Sequence, residues 1–169
     1  MTLHQFQSPN GAVVARPTGR GRFQTVIGLR GQPIFADEPA EVGGDGTGPT
    51  PYELLSAALA ACTAMTLRLY ADRKGWTLPP FSVEVAHSVV PGSADGTAPR
   101  DRFSRHIALE GPLEPERQAK LVEIADKCPV HRTLARGFEI VTDIGPPSDH
   151  PAAEPASRHA ADMEQACTD

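Results

Sequence analysis

Two cysteines far apart in the chain carry the clearest chemical signal in the sequence. Cys62 lies in a run of mostly small apolar residues at 57–65, and Cys128 stands directly before Pro129. A buried free cysteine usually acts as a small hydrophobe, so core filling is one interpretation of Cys62. The other is redox chemistry, in which one thiolate attacks a peroxide oxygen to give a sulfenic acid and a second thiol condenses with it to a disulfide. A third cysteine, Cys167, has no discernible partner.

The position of Cys128 favours the redox interpretation. If a helix begins at Pro129, Cys128 is its N-cap, where free N–H groups and the helix dipole stabilise a thiolate. A metal site competes, because Cys128 and His131 have a C-x-x-H spacing to which Cys62 and a loop aspartate could add ligands. A zinc signature usually contains two short ligand pairs and only one is present, so we predict no metal and no cofactor. His131 is then a surface or interface histidine, or a group that tunes a nearby thiol.

Length, net charge and apolar content argue against several classes of protein. A chain of 169 residues indicates one domain, and a net charge of −5 without a basic stripe argues against nucleic-acid and anionic-membrane partners. No apolar stretch approaches the roughly 20 residues of a membrane span, and the first residues show no signal peptide. The predicted location is the cytoplasm, where structural disulfides are rare. Cys62 and Cys128 are therefore expected to be reduced at rest.

The central helix has the most distinct limits in the sequence. Thr50 is the predicted N-cap, Pro51 takes the first helical position, and Glu53 completes a capping box. Gly75 ends the helix after Lys74. Because residues 54–65 are apolar nearly all round, the helix is predicted to be buried, in the middle of the domain or of a dimer.

The remaining elements give an α+β order. Strands precede the helix, two more strands and a helix follow, Pro129 ends that helix, and a short helix restarts there. The predicted order is β-β-β-α-β-β-α-β, which is α+β because the strands are clustered. Residues 1–10 are predicted to be frayed, 11–144 to form the domain, and 145–169 to be a disordered tail that contains Cys167. The predicted strands are 12–16, 23–29, 33–36, 81–90, 103–109 and 138–144.

Several motifs together resemble the OsmC/Ohr family of peroxide-detoxifying proteins. The resemblance covers about 13–144, and the segment His131–Leu134 is similar to an OsmC-like branch. It implies an OsmC-like fold with long central helices, an intertwined homodimer, a peroxidatic cysteine at Cys62 and a resolving cysteine at Cys128. It also implies a small-molecule hydroperoxide as substrate and a dithiol reductant such as a lipoyl protein. The motifs are Gly43-Gly44, Pro49-Thr50-Pro51-Tyr52-Glu53-Leu54-Leu55, Ala60-Ala61-Cys62 and Lys127-Cys128-Pro129.

The groups that activate the thiol depart from the family pattern. The family's activating arginine matches Arg20, with Arg22 as the second choice; the competing interpretation is two solvated turn arginines. Active members place a glutamate where this chain has Tyr52, and Glu53 comes one residue later. At 100° per residue, Tyr52 lies about 80° and Glu53 about 180° from Cys62 around the helix. Glu53 is therefore a weak candidate for the catalytic set.

The predicted function is a cysteine-based peroxidase that reduces organic, and also hydrogen, peroxides in oxidative-stress defence. The alternative is a non-enzymatic OsmC-like module that binds a small apolar or thiol-reactive ligand in the dimer groove.

Overall fold

The computed structural model describes residues 12–29, 32–93, 96, 98–145 and 156–168. The frayed segment predicted at 1–10 lies outside these residues. The chain is α+β, as predicted, and divides into two compact units, Met1–Leu54 with Val141–Pro155 and Leu55–Ile140 with Ala156–Asp169. The elements are β1 (Val14–Pro17), β2 (Thr25–Leu29), β3 (Gln32–Ala36), a 3-10 turn (Ala40–Val42), α1 (Pro51–Lys74), β4 (Phe81–Val90), β5 (Arg100–Leu109), α2 (Pro115–Asp126), α3 (Pro129–Arg136) and α4 (Ala156–Ala166).

The first unit is built on a three-stranded antiparallel sheet in the order β1-β2-β3. Ala15 pairs with Ile27, and Val26 pairs with Phe35. Burial alternates along β2, as expected of a strand with one covered face. The pairing of β2 with β3 confirms the strands predicted at 23–29 and 33–36, and residues 30–31 between them lie outside the described part of the chain.

The loop after β3 is organised around Asp37. Its carboxylate accepts hydrogen bonds from the backbone N–H groups of Glu38, Asp45 and Thr47 and from the Thr47 hydroxyl, the last at 2.7 Å. Gly44 lies so close to the backbone of Glu38 that a Cβ atom would overlap it. The glycine therefore allows the loop to fold back on itself before α1 begins.

Helix α1 has the predicted limits. The Thr50 N–H donates to the Glu53 carboxylate at 2.7 Å, and the Glu53 N–H donates to Thr50 Oγ1 at 3.2 Å, which is the reciprocal bonding of a capping box. The bond from the Thr50 N–H contributes most to lowering the pKa of Glu53. Gly75 follows Lys74 with a φ of 63° and ends the helix in the left-handed region.

Within the single chain, α1 is buried on one face only, and its predicted place in the middle of a dimer stays a prediction. Its buried residues form one face, while Leu55 and Met65 remain 44% and 55% exposed. The α1 segment is apolar nearly all round, but the second unit packs against one side only. By length and composition α1 would also suffice to cross a membrane, yet 44% of the relevant window is buried within the protein, as in a core helix. The buried face consists of Ser56, Leu59, Cys62, Thr63, Thr66, Leu67, Tyr70 and Ala71.

The second unit packs α1 and α2 with a long hairpin. Strands β4 and β5 pair along their whole length, from Phe81 with Leu109 to Val90 with Arg100. Inward positions of the hairpin alternate with exposed ones, which is the pattern of a sheet with one covered face. The main core cluster contains Leu67, Tyr70, Leu113, Leu121, Ile124, Ala125 and Cys167.

The strand predicted at 138–144 does not form. Gly137 follows α3 with a φ of 76°, and the segment after it has no strand pairing. Its apolar side chains are mostly exposed, from 62% at Phe138 to 102% at Ile144. The alternation of the segment fits a strand, but the segment joins neither of the two sheets that the described residues form.

The prediction of a disordered tail is wrong for residues 156–168. Helix α4 occupies 156–166, and Ala166 and Cys167 are buried. Arg73 Nη1 donates to the Glu164 carbonyl at 2.9 Å, which joins α4 to the end of α1. The low apolar content suggested disorder, but a few apolar residues at one end suffice to dock a short helix. Residues 146–155 lie outside the described part.

Candidate active site

The fold brings Cys62 and Cys128 together. Cys62 comes from the buried face of α1, and Cys128 stands at the start of α3; their residues are 3% and 0% exposed, and both thiols are free. With Leu59 they form a small buried cluster separate from the main core. Its surrounding wall is apolar and consists of Val85, Phe103, Val130 and Leu134.

Local sequence explains the place of Cys128. Proline disfavours helical angles in the residue before it, and Cys128 accordingly has φ −59° and ψ 139°. Cys128 is thus the N-cap of α3, as predicted, and its carbonyl accepts the first helical bond from the Arg132 N–H at 3.0 Å. Its sulfur accepts from the His131 N–H at 3.3 Å. The Val130 N–H donates to Cys62 Sγ at 3.5 Å, so the same helix end contacts both thiols.

An arginine that the sequence analysis missed lies beside the pair. Arg105 comes from the inward face of β5, and its side chain is only 12% exposed. Its Nη1 donates to Thr63 Oγ1 at 3.1 Å and to the Ala125 carbonyl at 2.9 Å, while Nη2 lies 2.7 Å from an Asp126 carboxylate oxygen. Thr63 Oγ1 is in turn 3.6 Å from Cys128 Sγ. The signal in the sequence is a charged residue at an inward position between Phe103 and Ile107.

The two sulfurs have opposite electrostatic environments. A hydrogen bond with Cys62 contributes most to lowering the pKa of Cys128 to about 5; the His131 N–H, the Thr63 hydroxyl and the Arg105 charge act in the same direction, and burial opposes them. The bond with Cys128, followed by burial, raises the pKa of Cys62.

The predicted activating groups lie in the first unit. Arg20 is exposed in the turn after β1, where its backbone N–H donates to Thr18 Oγ1 at 3.1 Å. The Arg22 guanidinium lies 5.0 Å from the centre of the Phe23 ring. Glu53 bonds to the helix start in the capping box. The catalytic roles of Arg20 and Glu53 stay predictions.

His131, the candidate metal ligand, and the third cysteine, Cys167, both contact other groups of the protein. His131 Nδ1 lies 3.7 Å from the Asp126 carboxylate, and its backbone, not its ring, contacts Cys128. Among the described residues there is no group of three or more His, Cys, Asp or Glu residues that could hold a metal ion. Cys167 belongs to the main core, with its sulfur 3.7 Å from the Thr66 carbonyl, and burial raises its pKa.

Comparison with known proteins identifies the family. The family model for OsmC-like proteins matches residues 44–143. An OsmC-like protein from Mycoplasma pneumoniae has a similar structure over 76% of this chain and 89% of its own, with 22% identity and a TM-score of 0.61. The organic hydroperoxide resistance protein OhrB of Bacillus subtilis is similar over 79% and 93%, with 23% identity and a TM-score of 0.54.

A third structure, from Legionella pneumophila and named an organic hydroperoxide resistance protein OsmC, covers 72% of this chain and 85% of its own, with 22% identity and a TM-score of 0.53. At these identities the likeness concerns the fold. The search of curated proteins gave no match. The family model spans more than half of the sequence and bears out the resemblance of the cysteine motifs: the chain belongs to the OsmC-like family.

Proposed function

We propose that this protein is a thiol-dependent hydroperoxide reductase that uses Cys62 and Cys128. The observation that carries the proposal is the placement of the two free thiols in one buried cluster, where the start of α3 donates one backbone N–H to each sulfur. The apolar wall suits organic hydroperoxides. The names of the structural neighbours from Bacillus subtilis and Legionella pneumophila, which refer to organic hydroperoxide resistance, support the same role in peroxide stress.

The proposed reaction consumes one hydroperoxide per disulfide. The Cys62 sulfur attacks the distal peroxide oxygen, the O–O bond breaks, and the alcohol leaves with a proton, which converts Cys62 to a sulfenic acid. The Cys128 thiolate then attacks the Cys62 sulfur and expels hydroxide, which takes up a proton to form water. The resulting Cys62–Cys128 disulfide is reduced by two electrons from a dithiol, such as a lipoyl group on a protein, which becomes a disulfide itself.

The proposal includes a homodimer that acts in the cytoplasm. Apolar side chains on the open face of α1 and after α3 lack a cover in the single chain, in particular Met65 at 55% exposure and Ile140 at 76%. Where exposed apolar side chains gather into one patch, they are typical of a protein interface. The segment at 138–144 has the alternation of a strand, and the edge of a second copy would supply the pairing that its own chain does not.

The direct test is hydroperoxide consumption with dihydrolipoamide as reductant. Wild type, Cys62→Ser, Cys128→Ser and the matched control Cys167→Ala are compared with cumene hydroperoxide and hydrogen peroxide. Cys62→Ser is expected to lose turnover, Cys128→Ser to stop at the sulfenic acid, and Cys167→Ala to remain active because that thiol lies in the other cluster. Equal turnover by wild type and Cys62→Ser would contradict the proposal.

Intact-mass analysis separates the enzyme from the binding module. After one equivalent of cumene hydroperoxide, the enzyme is expected to lose two hydrogens, mapped to Cys62 and Cys128. An unchanged mass together with a retained small molecule would favour a non-enzymatic module instead.

A further inference from the structure

The turn at residues 18–23, which we call the arginine turn, contains two arginines whose surroundings differ. The Arg22 guanidinium lies over the Phe23 ring, with Nη1 close to Gly43. Arg20 is exposed, and its backbone N–H donates to Thr18 Oγ1 at 3.1 Å. The place of Arg20 is therefore determined by what holds the backbone of the turn.

A continuous line of hydrogen bonds, which we call the Asp37 relay, joins the arginine turn to a buried carboxylate. Asp37 is 2% exposed and accepts from the Thr47 hydroxyl at 2.7 Å. Gln24 Nε2 lies 2.8 Å from Thr47 Oγ1, and Gln24 Oε1 lies 2.8 Å from Thr18 Oγ1. The relay ends at the Arg20 N–H, which donates to that same Thr18 oxygen.

The buried end of the relay fixes the direction of every bond in it. The Thr47 hydroxyl contributes most to lowering the pKa of Asp37, so this carboxylate is ionised at neutral pH and can only accept. Thr47 therefore donates its single proton to Asp37 and must accept from the Gln24 amide nitrogen. The Gln24 amide oxygen consequently accepts the single proton of Thr18, whose own oxygen is left to accept from the Arg20 N–H. Each proton is used once.

The loop that follows Asp37 also meets the arginine turn at a second point. Gly21 has a φ of 64°, and a Cβ atom there would overlap the Asp45 carboxylate. The Asp45 backbone N–H in turn donates to the Asp37 carboxylate at 3.3 Å. Asp37 thus stabilises the loop at both of its contacts with the turn. All of these residues belong to the first unit.

We propose that Asp37, Thr47 and Gln24 are positioning residues, which hold the arginine turn, and with it Arg20, in the geometry that the reaction requires. The proposal rests on the proposed function and deepens it, since the role predicted for Arg20 is to support the thiolate. A guanidinium stabilises a thiolate only at short range, because the attraction falls with distance and is screened by water and salt. Loss of the relay would release the turn without removing any charge from it.

Limited proteolysis with trypsin measures how firmly the turn is held, because cleavage after Arg20 and Arg22 requires the turn to open. Thr47→Val removes the hydroxyl that Thr47→Ser keeps, and Gln24→Met removes the amide as a second variant. We expect Thr47→Val and Gln24→Met to speed this cleavage about fivefold, the change in population when one net hydrogen bond is lost. Thr47→Ser should be cleaved at the wild-type rate. Cleavage after Arg136, in the other unit, is the internal reference for general unfolding.

A double-mutant cycle tests whether the relay acts through Arg20. In a single turnover with cumene hydroperoxide, Thr47→Val is expected to slow disulfide formation about fivefold, and Thr47→Ser to restore the wild-type rate. In an Arg20→Met background, Thr47→Val should have no further effect. An Arg22→Met background is the matched control, in which Thr47→Val should keep its effect.

The outcomes separate this proposal from the proposed function, because the cleavage assay needs no peroxide. Cleavage that is unchanged relative to Arg136 in folded Thr47→Val and Gln24→Met variants would overturn the proposal. An equal loss of rate in the Arg20→Met background would also overturn it, because Thr47 would then act on stability alone. A wild-type protein that reduces no hydroperoxide would contradict the proposed function instead, and the cleavage ratio would then decide whether the relay holds the turn.

Discussion

At the scale of single residues, the two thiols differ in the groups that surround each sulfur. Cys62 is one of a line of helix residues and receives a single backbone donor, from Val130. Cys128 stands at a helix start and receives the His131 N–H, with Thr63 and Arg105 behind it. The same buried cluster therefore contains one sulfur that favours the thiol and one that favours the thiolate.

The first prediction concerns the titration of Cys128 in the reduced protein. Because the pKa of Cys128 is lowered to about 5, mainly by its hydrogen bond with Cys62, this sulfur stays ionised as the pH falls from 9 towards 6 and becomes protonated below 5. The thiolate absorbance near 240 nm, with the spectrum of Cys128→Ser subtracted, should be nearly constant between about pH 6 and 8 and fall about tenfold per pH unit well below 5. A midpoint near 9 would contradict the prediction.

At the scale of elements, short-range signals position the site. Pro129 forces Cys128 out of helical angles, and the capping box fixes the start of α1 twelve residues before Cys62, counting from Thr50. Gly44 permits the tight loop that leads into that helix. Each of these features depends on neighbours in the sequence, so each is available to a sequence-based prediction.

The second prediction concerns that loop. Gly44→Ala would place a Cβ atom against the backbone of Glu38, which cannot move aside as a flexible side chain would. We expect a loss of about 1–3 kcal/mol in the free energy of unfolding, the usual range for overpacking. Gly145→Ala is the matched control, because its Cβ would meet open space. Urea titrations of both variants measure the difference, and equal stabilities would argue against the close approach.

The features that depart from the sequence-based predictions share a physical cause. The limits of α1 and the N-cap role of Cys128 depend on local chemistry and were correct. Arg105 was missed because its role depends on residues from α1 and α2 that only the fold brings near it. The strand predicted at 138–144 does not form, because alternating apolar and polar residues favour a strand but do not provide another strand to pair with. Helix α4 was not predicted because amino-acid composition does not show which surface of the folded chain a short helix can pack against.

At the scale of the whole molecule, the chain leaves apolar surface that its own described residues do not cover. On α1 this surface includes Leu55 and Met65, which lie ten residues apart on the helix. Isolated exposed leucines are ordinary, but the exposed segment after α3 adds four more large apolar side chains. The proposed homodimer accounts for both. The added residues are Phe138, Ile140, Val141 and Ile144.

The third prediction concerns assembly. Met65→Lys places a charge on the open face of α1, where a dimer contact would have to bury it, so we expect the dimer to dissociate at least tenfold more readily. Asp72→Lys is a control on an exposed position of the same helix that is already polar. Sedimentation velocity over a range of concentrations measures both. A Met65→Lys protein that stays as dimeric as the control would exclude this face from the interface.

The packing of α4 affects the order in which the chain folds. Cys167 contacts Thr66, and Arg73 contacts Glu164, so these bonds join positions 101 and 91 residues apart. Contacts between positions so far apart in the sequence form late in folding. The reason is that closing a long loop costs conformational entropy, which is offset only when the contact has formed. We expect the hairpin β4-β5 and helix α2 to assemble first and α4 to dock afterwards. During that interval the Cys167 thiol is accessible to oxidants, so peroxide would be more harmful to this protein while it folds than after it has folded.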